Sequence, residues 1–69
     1  MIYWVEYDND GKILGRCGAS SREQILARPL ALEIDESSFY SAPEIWAKIE
    51  LPSKRLITQP GKSDPRKQP

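Results

Sequence analysis

Glu6, Asp8 and Asp10 stand at alternate positions ahead of Gly11. That is the spacing of the first, third and fifth ligands of a calcium-binding loop, with glycine at the sixth place for its sharp turn. Ile13 would then take the usually apolar eighth place. The twelfth place, where a glutamate must hold the ion through two oxygens, falls on Cys17, and a thiol does not replace that donor for a hard cation. The residues ahead of the loop, IYWVEY, are aromatic and β-branched where an entering helix should stand. The calcium reading fails on its last ligand and on its context, so neither metal nor cofactor is expected.

A β-hairpin tip accounts for more of the same stretch. Asp-Gly suits a two-residue type I′ turn, whose central residues take a positive φ that glycine adopts freely and aspartate tolerates. A turn centred on Asp10 and Gly11 pairs Tyr7 with Leu14 and Trp4 with Cys17 across the ladder.

Other catalytic chemistry is hard to assemble. Ser20, Ser21, Ser37, Ser38, Ser41 and Ser53 have no conventional base beside them, because the chain has no histidine. Cys17 needs a partner that lowers its pKa, and Arg16, its neighbour in a strand, points to the other face. Cys17 reads as a small apolar filler. Glu33, Asp35 and Glu36 are acidic neighbours, and Glu33 and Asp35 share a strand face, where like charges raise one pKa. On an exposed strand such residues more commonly keep an edge from aggregating. The glycines at 11, 15, 18 and 61 have no phosphate-loop spacing. The expectation is no enzyme.

Whatever site exists must be carried by one small domain. A 69-residue chain is marginally stable without a staple. One cysteine and no histidine provide neither an internal disulfide nor a usual zinc site. Docking on other subunits is the remaining support. Ten basic and ten acidic residues cancel and are interspersed, unlike the basic stripe that phosphate contacts need, so no nucleic-acid partner is expected. No apolar run approaches the roughly 20 residues of a membrane span, and the N-terminal residues lack the basic and apolar regions of a signal peptide. A lone cysteine suits a reducing cytoplasm or a particle assembled there.

Along the chain, IYWVEY and KILGRCG flank the turn as strands. Ser20 and Glu23 have capping-box spacing, and Pro29 limits any helix there to one or two turns. LALEID puts Leu30, Leu32 and Ile34 on one face and Ala31, Glu33 and Asp35 on the other, the pattern of a half-buried strand. Residues 42–51 carry two signals. As a strand, Ile45, Ala47 and Ile49 face one way and Trp46, Lys48 and Glu50 the other. As a helix, Ser41 and Glu44 form a capping box and Pro43 sits in the first turn. The β-branched and aromatic content favours a strand from Ile45. PSKR then turns into a short last strand, LIT. The expected fold is mainly β, a small antiparallel sheet of roughly four or five short strands with a short helical turn. An α+β fold with residues 42–51 helical is the alternative. Residues 1–58 form the domain. Residues 59–69, with three of the six prolines, read as an extended or disordered tail.

Six large aromatics, Tyr3, Trp4, Tyr7, Phe39, Tyr40 and Trp46, exceed what a small core readily hides. In the strand reading of IYWVEY, Tyr3, Val5 and Tyr7 line the face opposite Ile2 and Trp4. One face forms the core and the other is a candidate interface. The competing reading is that the central segment and the Phe39–Tyr40 pair cover both faces.

The succession YWVEYDNDGKILG, RPLALEIDESSFY and KRLITQPGK resembles small bacteriophage tail-associated proteins. It is similar to the N-terminal modules of tail fibre and tail-tip proteins and of tail fibre assembly chaperones. Such proteins often carry a glycine in the last hairpin, where this chain has LPSKR, and a full chaperone would continue well beyond residue 69. The resemblance implies a virion structural protein, an adaptor or accessory subunit of the tail assembled in the host cytoplasm. Its partners would be other phage tail proteins, in a homo- or hetero-oligomeric assembly. The alternative is an assembly chaperone or a host-directed regulator absent from the mature particle. No catalytic or ligand residue comes with it.

Overall fold

A computed structural model describes residues 1–67. Five strands form two antiparallel sheets joined by short helices, so the fold is mainly β with an α+β admixture. In the first sheet β1 (Ile2–Tyr7) lies between β2 (Ile13–Ala19) and β3 (Ala31–Ile34); the second pairs β4 (Ala47–Glu50) with β5 (Arg55–Thr58). One sheet was expected. Two form because the chain between β3 and β4 folds into two short helices, α2 (Glu36–Tyr40) and α3 (Pro43–Trp46), which carry it off the first sheet.

β1 is central and covered on both faces, which its aromatic and β-branched sequence tolerates. Val5 and Tyr7 enter a core with Ile13, Trp46, Ala47 and Ile49, against which Leu30, Leu32, Ile34 and Leu56 pack. On the other face Trp4 meets Ala19 and Ile25, with Ile2, Cys17 and Ala31 around them. The alternation of LALEID is thus realised, with Leu30, Leu32 and Ile34 on the larger core. Trp4 pairs with Cys17 as its spacing implied.

The turn differs from the expected one. Gly11 N–H donates to Asp8 O at 3.0 Å and Asp8 N–H to Lys12 O at 2.9 Å. The loop therefore turns about Asn9 and Asp10, and only Gly11 takes a positive φ, 84°. The cause is the Asp8 carboxylate, whose Oδ1 accepts the amides of Asp10 and Lys12 at 2.9 Å each, an aspartate closing its own turn. A bulge follows. Tyr7 faces Ile13 rather than Leu14, so Ile13 is buried and Leu14 faces solvent.

The Ser20–Glu23 capping box does not form, because α1 (Glu23–Leu26) begins only at Glu23 with Arg22 before it. The two readings of residues 42–51 succeed one another. Pro43 opens α3, as the helical reading required, and from Ala47 the chain is a strand. Ala47 and Ile49 are buried, but Ile45 belongs to α3 and is 66% exposed while Trp46 turns inward, which reverses the facing expected for these two. Ser41 does not cap α3. Ala42, at φ 57°, precedes Pro43, and the Ser41 hydroxyl donates to Ser38 O at 2.6 Å.

Among the described residues two core polar atoms, Trp4 Nε1 and the Tyr7 hydroxyl, find no hydrogen-bond partner. A hydroxyl stripped of water without compensation opposes folding by about 1–3 kcal/mol. Tyr7→Phe should therefore leave stability unchanged or raise it, read as the urea midpoint. A loss of more than about 1 kcal/mol would mean that the hydroxyl is satisfied in solution.

Candidate docking site

The six aromatics divide by tertiary position. Trp4, Tyr7 and Trp46 are 4%, 2% and 5% exposed and belong to the two cores, so in this fold they are unavailable to a partner. Tyr3, Phe39 and Tyr40 come together at the surface. β1 supplies Tyr3; α2 supplies the other two from its last turn. Asp35, in extended conformation at the N-cap, and Glu36 in the first turn set a favourable charge at the start of this helix. The rings of Tyr3 and Phe39 lie 4.4 Å apart and tilted by 34°. Tyr40 meets Phe39 edge to face at 5.1 Å and Tyr3 at 5.9 Å. Such packing orients the rings beyond what area burial alone would do. Tyr40 is 67% exposed.

Arg16 of β2 fixes this cluster from behind. Its guanidinium stands 5.3 Å over the Phe39 ring, Nη1 donates to Phe39 O at 2.6 Å, and Nε bridges to Glu44 Oε1 at 3.0 Å. Ionisation of the Tyr3 phenol is pushed above its ordinary value, chiefly by hydrogen bonding with Tyr40, then by burial and by the charges of Tyr40 and Glu36. Tyr3 therefore presents a neutral hydroxyl near neutral pH. The result is a pre-ordered amphipathic patch, rings with polar tips, of the kind that dominates protein interfaces.

The other residues with possible chemistry are dispersed. Glu6 bridges to Arg28 at 3.0 Å and Asp8 is committed to its own turn. Glu33 is held bidentately by Arg22 at 2.9 and 3.0 Å, while Asp35 accepts from Ser38, so the acidic neighbours part. Cys17 is half-buried beside the Trp4 core. Among the described residues no three histidine, cysteine or acidic side chains converge on a metal position, and no helix is long and apolar enough to cross a membrane.

Sequence patterning missed the partners of residues 59–67. Gln59 donates from its backbone to Trp46 O at 2.9 Å and from its side chain to Ala47 O at 2.8 Å. Arg66 lies 5.4 Å over the Trp46 ring, chelates Asp64 at 2.7–3.2 Å, and donates to Ser38 and Ser37 at 2.9 and 3.2 Å. Asp64 in turn accepts the Arg66 amide at 2.9 Å. The legible signal was an aspartate two residues ahead of an arginine, with proline between to open a helical turn (Pro65–Lys67). Residues 68 and 69 of the expected tail lie outside the described residues.

Hydrogen bonds from Arg66 hold the Asp64 carboxyl below its ordinary value, against the opposing effect of burial. Asp35 is lowered mainly by its bond from Ser38, with a contribution from the Arg66 charge. A carboxyl with a depressed folded-state pKa stabilises the fold above its unfolded value, near pH 4, and that stabilisation is lost as pH falls through the lower folded value. The melting temperature should thus fall between neutral pH and about pH 3, and the gap between wild type and Asp64→Asn should narrow. A gap constant across that range would exclude this linkage.

Compared with protein-family models, with curated proteins and with solved structures, the chain matches none. Fold and surface together define a class, a small two-sheet β/α+β domain that exposes an ordered aromatic cluster.

Proposed function

We propose that this protein is a virion structural protein, a small adaptor or accessory subunit of a bacteriophage tail near the fibre or tip, which acts by docking on neighbouring tail proteins. The surface cluster of exposed Tyr40 with half-buried Tyr3 and Phe39 carries the docking part of this reading. Aromatic rings held rigidly at a surface lose little entropy on binding, and they are the common anchors of interfaces. The tail assignment rests on the resemblance of the three sequence stretches. The partner contacts are assigned to Tyr3, Phe39 and Tyr40.

Mass spectrometry of density-purified particles tests it. Trypsin cuts poorly between Arg28 and Pro29, so EQILARPLALEIDESSFYSAPEIWAK is the marker peptide. Recovery at the stoichiometry of other tail proteins supports a structural subunit. Its absence from particles, with abundance in the lysate, would replace this reading with the assembly chaperone or regulator. Tyr40→Ala should reduce incorporation about tenfold or more, as loss of an interface anchor does, with melting temperature nearly unchanged. Unchanged incorporation would remove the aromatic patch from the interface.

A further inference from the structure

The five arginines all pair with carboxylates: Arg16 with Glu44, Arg22 with Glu33, Arg28 with Glu6, Arg55 with Glu50 and Arg66 with Asp64, at 2.6–3.0 Å. The lysines make no such pair among the described residues, and three of them, Lys12, Lys48 and Lys62, line one open groove of about 480 Å³. They are remote in sequence. The hairpin loop, β4 and the segment after β5 each deliver one, and Gln59 holds that segment against β4. The lining also has an apolar part, Ile45 and Pro60. Ile45 is 66% exposed because Pro43 and Trp46 take the inward positions of α3. Two carboxylates also line the groove, Asp10 and Glu44. The charge of Glu44 is taken by Arg16 at 3.0 Å, which leaves Asp10 against three ammonium groups.

We infer that this groove docks a short acidic segment of another protein in extended form, with carboxylates among Lys12, Lys48 and Lys62 and an apolar side chain against Ile45 and Pro60. The size supports a segment, since the volume is that of a cleft for a small ligand and not of a broad docking face. The mixed lining selects the chemistry. Lysines are point charges that accept carboxylates in many orientations, and the exposed isoleucine rewards a side chain that inorganic anions and phosphodiester backbones lack. The groove shares no lining residue with the Tyr3–Phe39–Tyr40 cluster, and the inference is independent of the tail assignment. Binding should weaken with salt, since Lys12 and Lys62 are exposed and Lys48 is half-buried.

The test is fluorescence anisotropy of the full chain with a labelled peptide of glutamates interrupted by leucine. Saturable binding at low salt is expected. Lys62→Glu should weaken it about tenfold or more through like-charge repulsion, and Ile45→Gln should weaken it severalfold. Lys54→Glu makes the same charge change outside the groove and should leave affinity within about twofold. All three positions are exposed, and thermal melts verify that each variant is folded. The inference is overturned by no saturable binding at low salt, by equal losses in Lys54→Glu and Lys62→Glu, by an all-glutamate peptide binding as well as the leucine-containing one, or by duplex DNA binding more tightly than either.

Discussion

Gly11→Ala is expected to remove most of the stability of this protein. A Cβ at Gly11 would stand 2.1 Å from Ile49 O and 3.2 Å from its carbonyl carbon, and both are backbone atoms of a buried strand. No side chain can rotate away to relieve the contact. The φ of 84° adds the left-handed penalty of about 1–2 kcal/mol for a residue with a Cβ. Relief requires moving the hairpin tip off β4, which breaks the 2.8 Å bond from Ile49 N–H to Gly11 O. That bond ties the hairpin tip to β4 of the second sheet. Overpacking alone costs about 1–3 kcal/mol. A domain of this size holds about 3–10 kcal/mol in all, so the loss should bring the urea midpoint near zero or prevent folding. A melting temperature within a few degrees of wild type would show that the tip does not sit on β4.

Trp46→Ala should be of comparable size, about 3–5 kcal/mol for a buried tryptophan, for a different reason. The indole is 5% exposed and fills the larger core between Val5, Tyr7, Ala47 and Ile49. Its Nε1 donates to Ser41 O and Oγ at 3.2 Å, and its ring carries Arg66. The substitution leaves a cavity and takes away the surface against which residues 64–67 pack. Urea unfolding should show the loss in the midpoint, and limited trypsin digestion should cut at Lys62 and Arg66 faster than in wild type. Trp46→Phe should recover much of the stability, since most of the apolar volume returns, but not the trypsin protection. Trp46→Ala melting like wild type would contradict the core position. These results separate Trp46 from Tyr40, whose replacement is expected to spare folding.

Features governed by neighbours along the chain were legible. The Asp-Gly pair between two β-rich runs announced the hairpin, and period-2 alternation announced β3 and the facing of Leu30, Leu32 and Ile34. At residues 42–51 both a helix and a strand form, since Pro43 starts a helix and Ala47–Glu50 is a strand, although Ile45 and Trp46, which carried the strand signal, lie in the helix. What local pattern could not decide was where one yields to the other. That point falls just after Trp46, the last residue of α3, whose side chain enters the core shared by β1, β2 and β4.

The sequence by itself therefore determined the run of short strands and one hairpin, because turn chemistry and side-chain period act over a few residues. It did not announce α2 or the helical turn at Pro65–Lys67. The tertiary structure decided which aromatics are core and which are surface. Trp4 and Trp46 look as available in sequence as Tyr40, but burial depends on which faces other segments cover. It also decided that one residue of β2 bulges, so that Ile13 and not Leu14 turns inward. And it decided that Lys12, Lys48 and Lys62 share a groove and that Arg66 meets Trp46, because such contacts arise only when residues far apart in the chain compete to bury the same apolar surface.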